Sequence, residues 1–522
     1  MRRLTKPFLR VTRKSSSATS VSGLNTAYAR LRQRVPGHGW QTIVASKEAE
    51  PAAAKIVFKM NEDERWQARF ARSVVFSFFP RGYPETVKPT YLPYVTWTSV
   101  GLLSGRVQSV LATQAALFTA GLGAGAIPMA VAVQWVLKDG VGHLGAIVYA
   151  ASVNTKFDSD AKRYRFHSTC ALTVADLIAV LMPLWPQHFF IMASLSSATS
   201  SVANLAQVAA RARIMSSFAL AGNLADCVRA GQTQSKLMSV LGTGSGAALS
   251  WAIGPDTAHV LAAMVPLSCI SLYAIHASSQ LVVLSSLNLQ RAERVYAGLL
   301  TSMESDPAFD PAFNPAFRSD GLGPVRRSPK VTSLDASTPY MVAEAETFVF
   351  PYASVLEGKL LLNPVFGRSG ILRRDEHASD LAAATAALHG AVTGSRDNDD
   401  ESSRWCAMYR DSYALAAACS DAPGVVPRVA LWHTTESSNE MKLKALWHAS
   451  ILRRQLTRPR SISVADSDKV ETQLETTEKI AEASWPLVHA ALLRAGWDLS
   501  VLHLDGDGGW IQVASPSPSS LT

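Results

Sequence analysis

Between residues 107 and 290 this chain travels long distances without a charged side chain. Residues 107–137, 140–155, 177–210 and 257–290 contain no Asp, Glu, Lys or Arg, and the last two runs are each 34 residues long. A helix crosses the hydrocarbon core of a bilayer in about 20 predominantly apolar residues. A helix on the surface of a soluble protein instead carries a polar, charged face. Two architectures accommodate such runs: helices embedded in a membrane, or a tightly packed soluble helical bundle. Uncharged runs of this length weigh towards the membrane.

The runs are not apolar throughout. "SLSSATSSVANLAQ" (194–207) is polar and "GTGSG" (242–246) is rich in glycine. Gly242, Gly246, Ser250 and Gly254 recur every four residues, which puts them on one helix face. Such a small-residue stripe lets two helix backbones approach closely. Gly101/Gly105 and Gly121/Gly125 repeat the spacing. Charges inside a span are costly, so they concentrate at span ends or in loops. On that reasoning Lys138 and Asp139 end one span. The cluster Asp158, Asp160, Lys162, Arg163 and Arg165 is then the polar connection before the next helix. In a soluble bundle the same residues occupy the loop at the end of a helical hairpin.

Composition narrows the function. Hydrophobic residues make up 48% and charged residues 17% of the 522, against about 25% charged in an average globular domain, so a large core is affordable. The formal charge is +9, but residues 1–47 hold ten Lys/Arg and no acid, which leaves 40 bases and 41 acids in the remainder. The body of the protein therefore offers no phosphate-tracking surface, and nucleic acid is excluded as a partner. The acid-free, Arg- and Ser-rich segment 1–47 has the composition of an organelle transit peptide, for mitochondrion or plastid, the alternative being a basic tail. Five scattered cysteines with no C-x-x-C form neither a zinc site nor a disulfide framework.

Residues 301–330 repeat DPAF, DPAF and NPAF, with proline too frequent for a helix or a central strand, and read as a linker. Residues 331–522 resume an ordinary pattern. "YALAAAC" (413–419) and "PRVALWHT" (427–434) are predicted strands. Leu443, Leu446, Trp447, Ile451 and Leu452 mark a helix over 440–456, and a second covers about 470–495. "LSVLHLDGDGGWIQV" (499–513) reads as a hairpin. The expected fold is mainly α: a helical, membrane-embedded bundle over 74–300, followed by a small α+β domain.

Motifs that would carry chemistry fail on context. Gly242 to Ala247 spells G-x-G-x-x-A, but no strand precedes it and no acid follows at the distance a dinucleotide site requires. "DGDGG" (505–509) lacks the twelfth-position ligand of a calcium loop. His143, His167, His188, His259 and His276 pair at no metal-ligand spacing. No metal site, bound cofactor or catalytic constellation is expected, and the chain reads as a non-enzyme.

Several blocks resemble the root UVB sensitive family, whose domain is also described by vitamin B6 photoprotection and homeostasis. "FPRGYPETVKPTYLPYVTW" (79–97) is similar to its opening pattern, and "VLATQA" (110–115) follows. "QWVLKDGVGHLGAIV" (134–148) resembles its W-x-x-basic-D-x-x-G-x-x-G block and "DSDAKRYR" (158–165) its D-x-x-A-K-x-aromatic-R block. "PLWP" (183–186) and "FALAGNLAD" (218–226), which keeps Asn223 and Asp226, come next. "MKLKALWHA" and "LLRAGWDLSVLHLDGDGGWIQV" resemble its C-terminal helix and ending. The chain departs from the pattern where acids or Asn are common, holding Thr98, Thr169, Leu172 and Thr173, and where Lys/Glu is usual, holding Ala230 and Gly231.

The resemblance implies a divergent member, membrane-associated and organellar, linked to vitamin B6 status and UV tolerance by transport, sensing or scaffolding. It makes Lys138, Asp139, Asp158, Lys162, Arg165, Asn223 and Asp226 a polar layer. That layer either binds the phosphate of a vitamin B6 vitamer or locks the bundle as a salt-bridge cluster, the commoner role of paired charges. Implied partners are membrane lipid, another family member or a pyridoxal-phosphate enzyme. The competing expectation is a soluble helical scaffold that binds such an enzyme through its C-terminal domain.

Overall fold

The computed structural model describes residues 29–35, 39–46, 57–58, 77–121, 129–153, 156–305, 335–350, 352, 354, 356, 359–362, 378–393, 405–418, 428–457 and 467–504. Three short strands, β1 (Ala29–Val35), β2 (Gly39–Ser46) and β3 (Val57–Phe58), form an antiparallel sheet. Within the expected transit segment 1–47, only β1 and β2 are described. Six long helices follow: α1 (Tyr91–Thr119), α2 (Met129–Val153), α3 (Ala161–Leu181), α4 (Phe189–Phe218), α5 (Leu224–Ile253) and α6 (Thr257–Gln280). The protein is mainly helical, with small sheets, as the sequence predicts.

Helix α1 packs against α3, α5 and α6, while α2 packs on α4, and α4 on α3. Small residues set these crossings, because a Cβ would hold the backbones apart. A Cβ on Gly242 would lie 2.6 Å from Arg106 Cβ, and one on Gly246 2.8 Å from Val110 Cβ, so these two glycines seat α5 on α1. Gly101 meets Ile275 and Ala274 of α6, and Gly142 meets Ser197 and Ser201 of α4. Gly254 ends the stripe differently: its φ of 71° stops α5, while its carbonyl accepts from Gln114 Nε2 at 3.0 Å. The G-x-G-x-x-A lies wholly inside α5, so no phosphate loop exists there.

The charge pair Lys138 and Asp139 falls in the middle of α2 rather than at its end. The edge of an uncharged run is therefore not the edge of a helix. The same holds for Arg106 in α1, Asp176 in α3 and Arg211 in α4. Lys162 and Arg165 lie in the first turns of α3, close to the polar connection expected for them.

The bundle buries large apolar side chains such as Leu111, Ile214 and Phe218 together with small and polar ones, and it also exposes many large apolar ones. Thr98, Ser104, Gln108, Ser168, Thr169, Ser271 and many alanines are buried. Val136, Leu144, Ile147, Val148, Val208, Val240, Trp251 and Val265 are exposed. Three segments, Ala161–Leu184, Pro186–Phe218 and Thr257–Gln280, are long and apolar enough to cross a membrane.

After α6 come β4 (Ser286–Asn288), α7 (Leu289–Ser305), α8 (Pro339–Ala345), β5 (Lys359–Leu362), α9 (Ala378–Thr393), β6 (Trp405–Arg410), β7 (Tyr413–Ala418), β8 (Arg428–His433), α10 (Asn439–Leu456), α11 (Ser467–Arg494) and β9 (Asp498–His503). The predicted strands are β7 and β8, and the predicted helices are α10 and α11. The sheet order is β5-β8-β7-β6, with β5–β8 parallel and the other pairs antiparallel. Alternate residues of β7 point to opposite faces. Ala414 and Ala416 meet α9, whereas Leu415 and Ala417 join the core made by α7, α10 and α11. Tyr296 of α7 stacks edge-on against Trp447 at 5.1 Å and donates to the Leu443 carbonyl. Thus 286–305 packs with the C-terminal core, although the uncharged run continues to 290. Of the predicted hairpin at 499–513, the first arm is β9, and its partner is β4, in parallel. The second arm and the DGDGG turn lie outside the described residues, as do 306–330 of the linker.

Gly246→Leu should lower the melting temperature of the purified protein, because overpacking a closed crossing costs about 1–3 kcal/mol. Gly244→Leu is the control. Nothing lies within 4 Å of its Cβ, so its melting temperature should hold or rise. Equal melting of both variants would remove the close α1–α5 crossing.

Candidate functional site

Two polar assemblies occupy the bundle, and the residues predicted from sequence divide between them. The first joins α3 to the C-terminal core. Lys162 Nζ lies 2.6 Å from Glu346 Oε2, and Arg291 reaches Glu346 Oε1 through Nε at 2.9 Å and Nη2 at 2.8 Å. All three side chains are at most 5% exposed. Burial alone would raise the Glu346 carboxyl, but Arg291 and Lys162 outweigh it and hold the group at about 2. The backbone after Glu346 straps across α3: Arg163 donates to the Phe350 carbonyl and His167 Nε2 contacts that of Val349. A second buried pair, Arg453 and Glu293 at 2.6 Å, fixes the same strap through Tyr352 and Ser354. Lys162 therefore ties α3 to Glu346 and, through Arg291, to the core that contains α7.

The second assembly is a cavity of about 480 Å³ walled by α1, α3, α4, α5 and α6, within the usual range for small-molecule sites of about 300–1,000 Å³. Four cations line it: Arg106, Arg165, Arg211 and Lys236. Asp176 is the one carboxylate among its lining residues. Arg165 donates to Tyr94 Oη at 2.7 Å and Thr98 Oγ1 at 3.0 Å, and its guanidinium sits 5.1 Å from the Tyr94 ring. Arg211 donates to Ser235 Oγ at 2.9 Å and to the Gly231 carbonyl. A Cβ at Gly231 would stand 3.0 Å from that guanidinium, so the glycine makes room for it. Arg165 Nε and Gln108 Nε2 are buried donors without a partner. Buried donors are normally satisfied, and these two point to a polar cavity rather than to a partner side chain.

The other predicted residues are dispersed. Lys138 and Asp139 pair with each other at 2.7 Å, with Lys138 over the Trp135 ring and Ser197 donating to Asp139. Asp139 does not meet Lys162 or Arg165. Asp158 is exposed in the turn before α3. Asn223 caps α5 by position, with no side-chain cap bond, and Asp226 pairs with Arg229 at 3.4 Å. Of the polar layer, only Arg165 lines the cavity. Sequence reasoning missed Arg106, Asp176, Arg211 and Lys236, although the first three flank uncharged runs as Lys138 and Asp139 do. Thr98, Thr169, Leu172 and Thr173 also line the cavity.

Residues 64–303 match the family described as the vitamin B6 photo-protection and homoeostasis domain. The chain is 33% identical to protein root UVB sensitive 2, chloroplastic, of Arabidopsis thaliana, over 44% of this chain and 53% of that protein. It is 29% identical to protein root UVB sensitive 3 of the same plant, over 42% and 50%. It is 26% identical to RUS family member 1 of Dictyostelium discoideum, over 44% and 45%. The chain thus spans about half the length of the curated relatives it matches. No solved structure matches it.

Glu346→Gln should cost about 3–5 kcal/mol, because it strands two buried cations. Lys162→Met should cost less, since Arg291 still satisfies the carboxylate. The folded carboxyl sits at about 2 against an ordinary 4.5. The stabilisation is therefore full above about pH 4.5 and is lost as pH falls towards 2. Thermal melts of both variants and wild type across acid pH check the order and the sign.

Proposed function

The chain belongs, through residues 64–303, to the vitamin B6 photo-protection and homoeostasis family of the root UVB sensitive proteins, and on that premise we propose that it is a non-enzymatic membrane protein of vitamin B6 homeostasis and UV tolerance that holds a phosphorylated vitamer in the bundle cavity. The carrying observation is the cavity itself: buried Arg165 and half-buried Arg211 with two unpartnered buried donors, and Arg106 and Lys236 at its exposed rim, among helices that also expose large apolar side chains. Ionisable groups within spans face the bundle interior or a cavity and mark ligand pathways. That pattern supports transport or sensing of an anion over pure scaffolding. The chloroplastic relative and the basic segment 1–47 support a plastid membrane.

The exposed apolar belt supports membrane embedding over the soluble scaffold. Val136, Leu144, Ile147 and Val148 cover one side of α2, and Trp251 is 89% exposed on α5. A soluble monomer rarely exposes so much contiguous apolar surface. Contact with membrane lipid removes it from water. Association with a second family member or a pyridoxal-phosphate enzyme would use the C-terminal unit.

Two measurements test the reading. Alkaline carbonate should leave the protein in the membrane pellet; release into the supernatant would favour the soluble scaffold. Pyridoxal phosphate should raise the melting temperature of the solubilised protein more than pyridoxal does. Lys236→Gln should weaken the phosphate form about tenfold, the worth of one charge-assisted contact, with little effect on folding. Equal shifts with both vitamers would discard phosphate recognition.

A further inference from the structure

The cavity contains one feature that an anion site does not need. Asp176 lies in α3 on the stripe that also carries Arg165, Thr169, Leu172 and Thr173, at spacings that share one helix face. It makes no ion pair within 4 Å among the described residues; the cation acting on it through space is Arg106. Each packed element contributes a known set of charges. These are Arg106 from α1, Arg165 from its own helix, Arg211 from α4 and Lys236 from α5; α6 contributes only the uncharged Ser271 and Ile275. No histidine lines the cavity.

Resting on the reading of this cavity as an anion site, we propose that Asp176 couples anion binding to the uptake of one proton. An anion in a 480 Å³ space sits within several ångströms of this carboxylate. At an effective dielectric of about 20, usual near a protein surface, two like charges at such a distance repel strongly enough to cost roughly tenfold or more in affinity. The proton removes that repulsion: it is taken from solvent onto a carboxylate oxygen, and no other bond changes. Arginine and lysine ordinarily titrate far above neutrality, so Asp176 is the group in this lining suited to the exchange. The cavity then binds anion and proton together and releases them together, and affinity for the anion falls as pH rises. In a membrane, such linkage would let a proton gradient bias which side the anion leaves.

Sulfate is the probe, because its charge stays constant from about pH 5 to about pH 9, whereas a phosphate monoester titrates near 6. Calorimetry on detergent-solubilised wild type should show sulfate affinity falling as pH rises, by up to about tenfold per unit within the coupled range. At the pH of steepest change, the binding heat should vary with the ionisation enthalpy of the buffer, with a slope of about one proton per sulfate. Asp176→Asn should bind sulfate at every pH as wild type does at low pH, with the proton uptake gone. Sulfate binding that is flat in pH and buffer-independent in wild type overturns the coupling while leaving the anion site standing. A pH slope retained in Asp176→Asn does the same. The buffer dependence is read on wild type alone, so a poorly folding variant does not protect the proposal. If sulfate fails to bind wild type at any pH, the anion-site reading falls and the coupling falls with it.

Discussion

Glu346 is the carboxylate on which two cations from distant parts of the chain converge. Lys162 comes from the start of α3, and Arg291 from the start of α7, which packs in the other core. Removing three such groups from water is expensive, and only mutual pairing with good geometry recovers the cost. The lock therefore has one low-energy arrangement, and it sets where α3 begins. Everything downstream on α3 follows from that placement. Arg165 one turn on meets Tyr94 and Thr98, and the Thr169–Asp176 stripe faces the cavity.

The bundle is organised by a second constraint, the closeness of helix backbones. Glycines at 101, 142, 242 and 246 remove the side chain at the point of contact. Small and polar side chains fill the crossings, two apolar clusters that include Leu111, Ile214 and Phe218 are buried beside them, and many Val, Leu and Ile side chains stay exposed. The C-terminal unit has the more ordinary apolar core. There, Leu431, Trp447, Leu474 and Val488 are fully or almost fully buried between sheet and helices.

Much of this was legible from residue spacing. The helical content, strands β7 and β8, helices α10 and α11, and the Gly242/Gly246 contact all follow from periodicity, because a face repeated every 3.6 or 2 residues has one way to be buried. The candidate site was only partly legible. Arg165 was found through a local block. Arg106, Asp176 and Arg211 carried the same signal as Lys138 and Asp139, a charge flanking an uncharged run, but the run edges were read as helix ends. They lie within helices, where Arg106, Asp176 and Arg211 border the polar cavity and Lys138 and Asp139 pair with each other. Lys236 carried no signal of its own.

What the sequence determined by itself was each helix's character: its length, its small-residue face and its want of charge, since these depend on neighbours within about two turns. What the tertiary structure alone decided was partnership. Lys162 could not be matched to Glu346, 184 positions later and across the linker, from any local pattern. Nor could Asp139 be separated from Lys162, or the segment 286–305 be assigned to the C-terminal core. Each of these depends on which distant surfaces meet, and the energy of a buried charge is set by the group placed beside it in space.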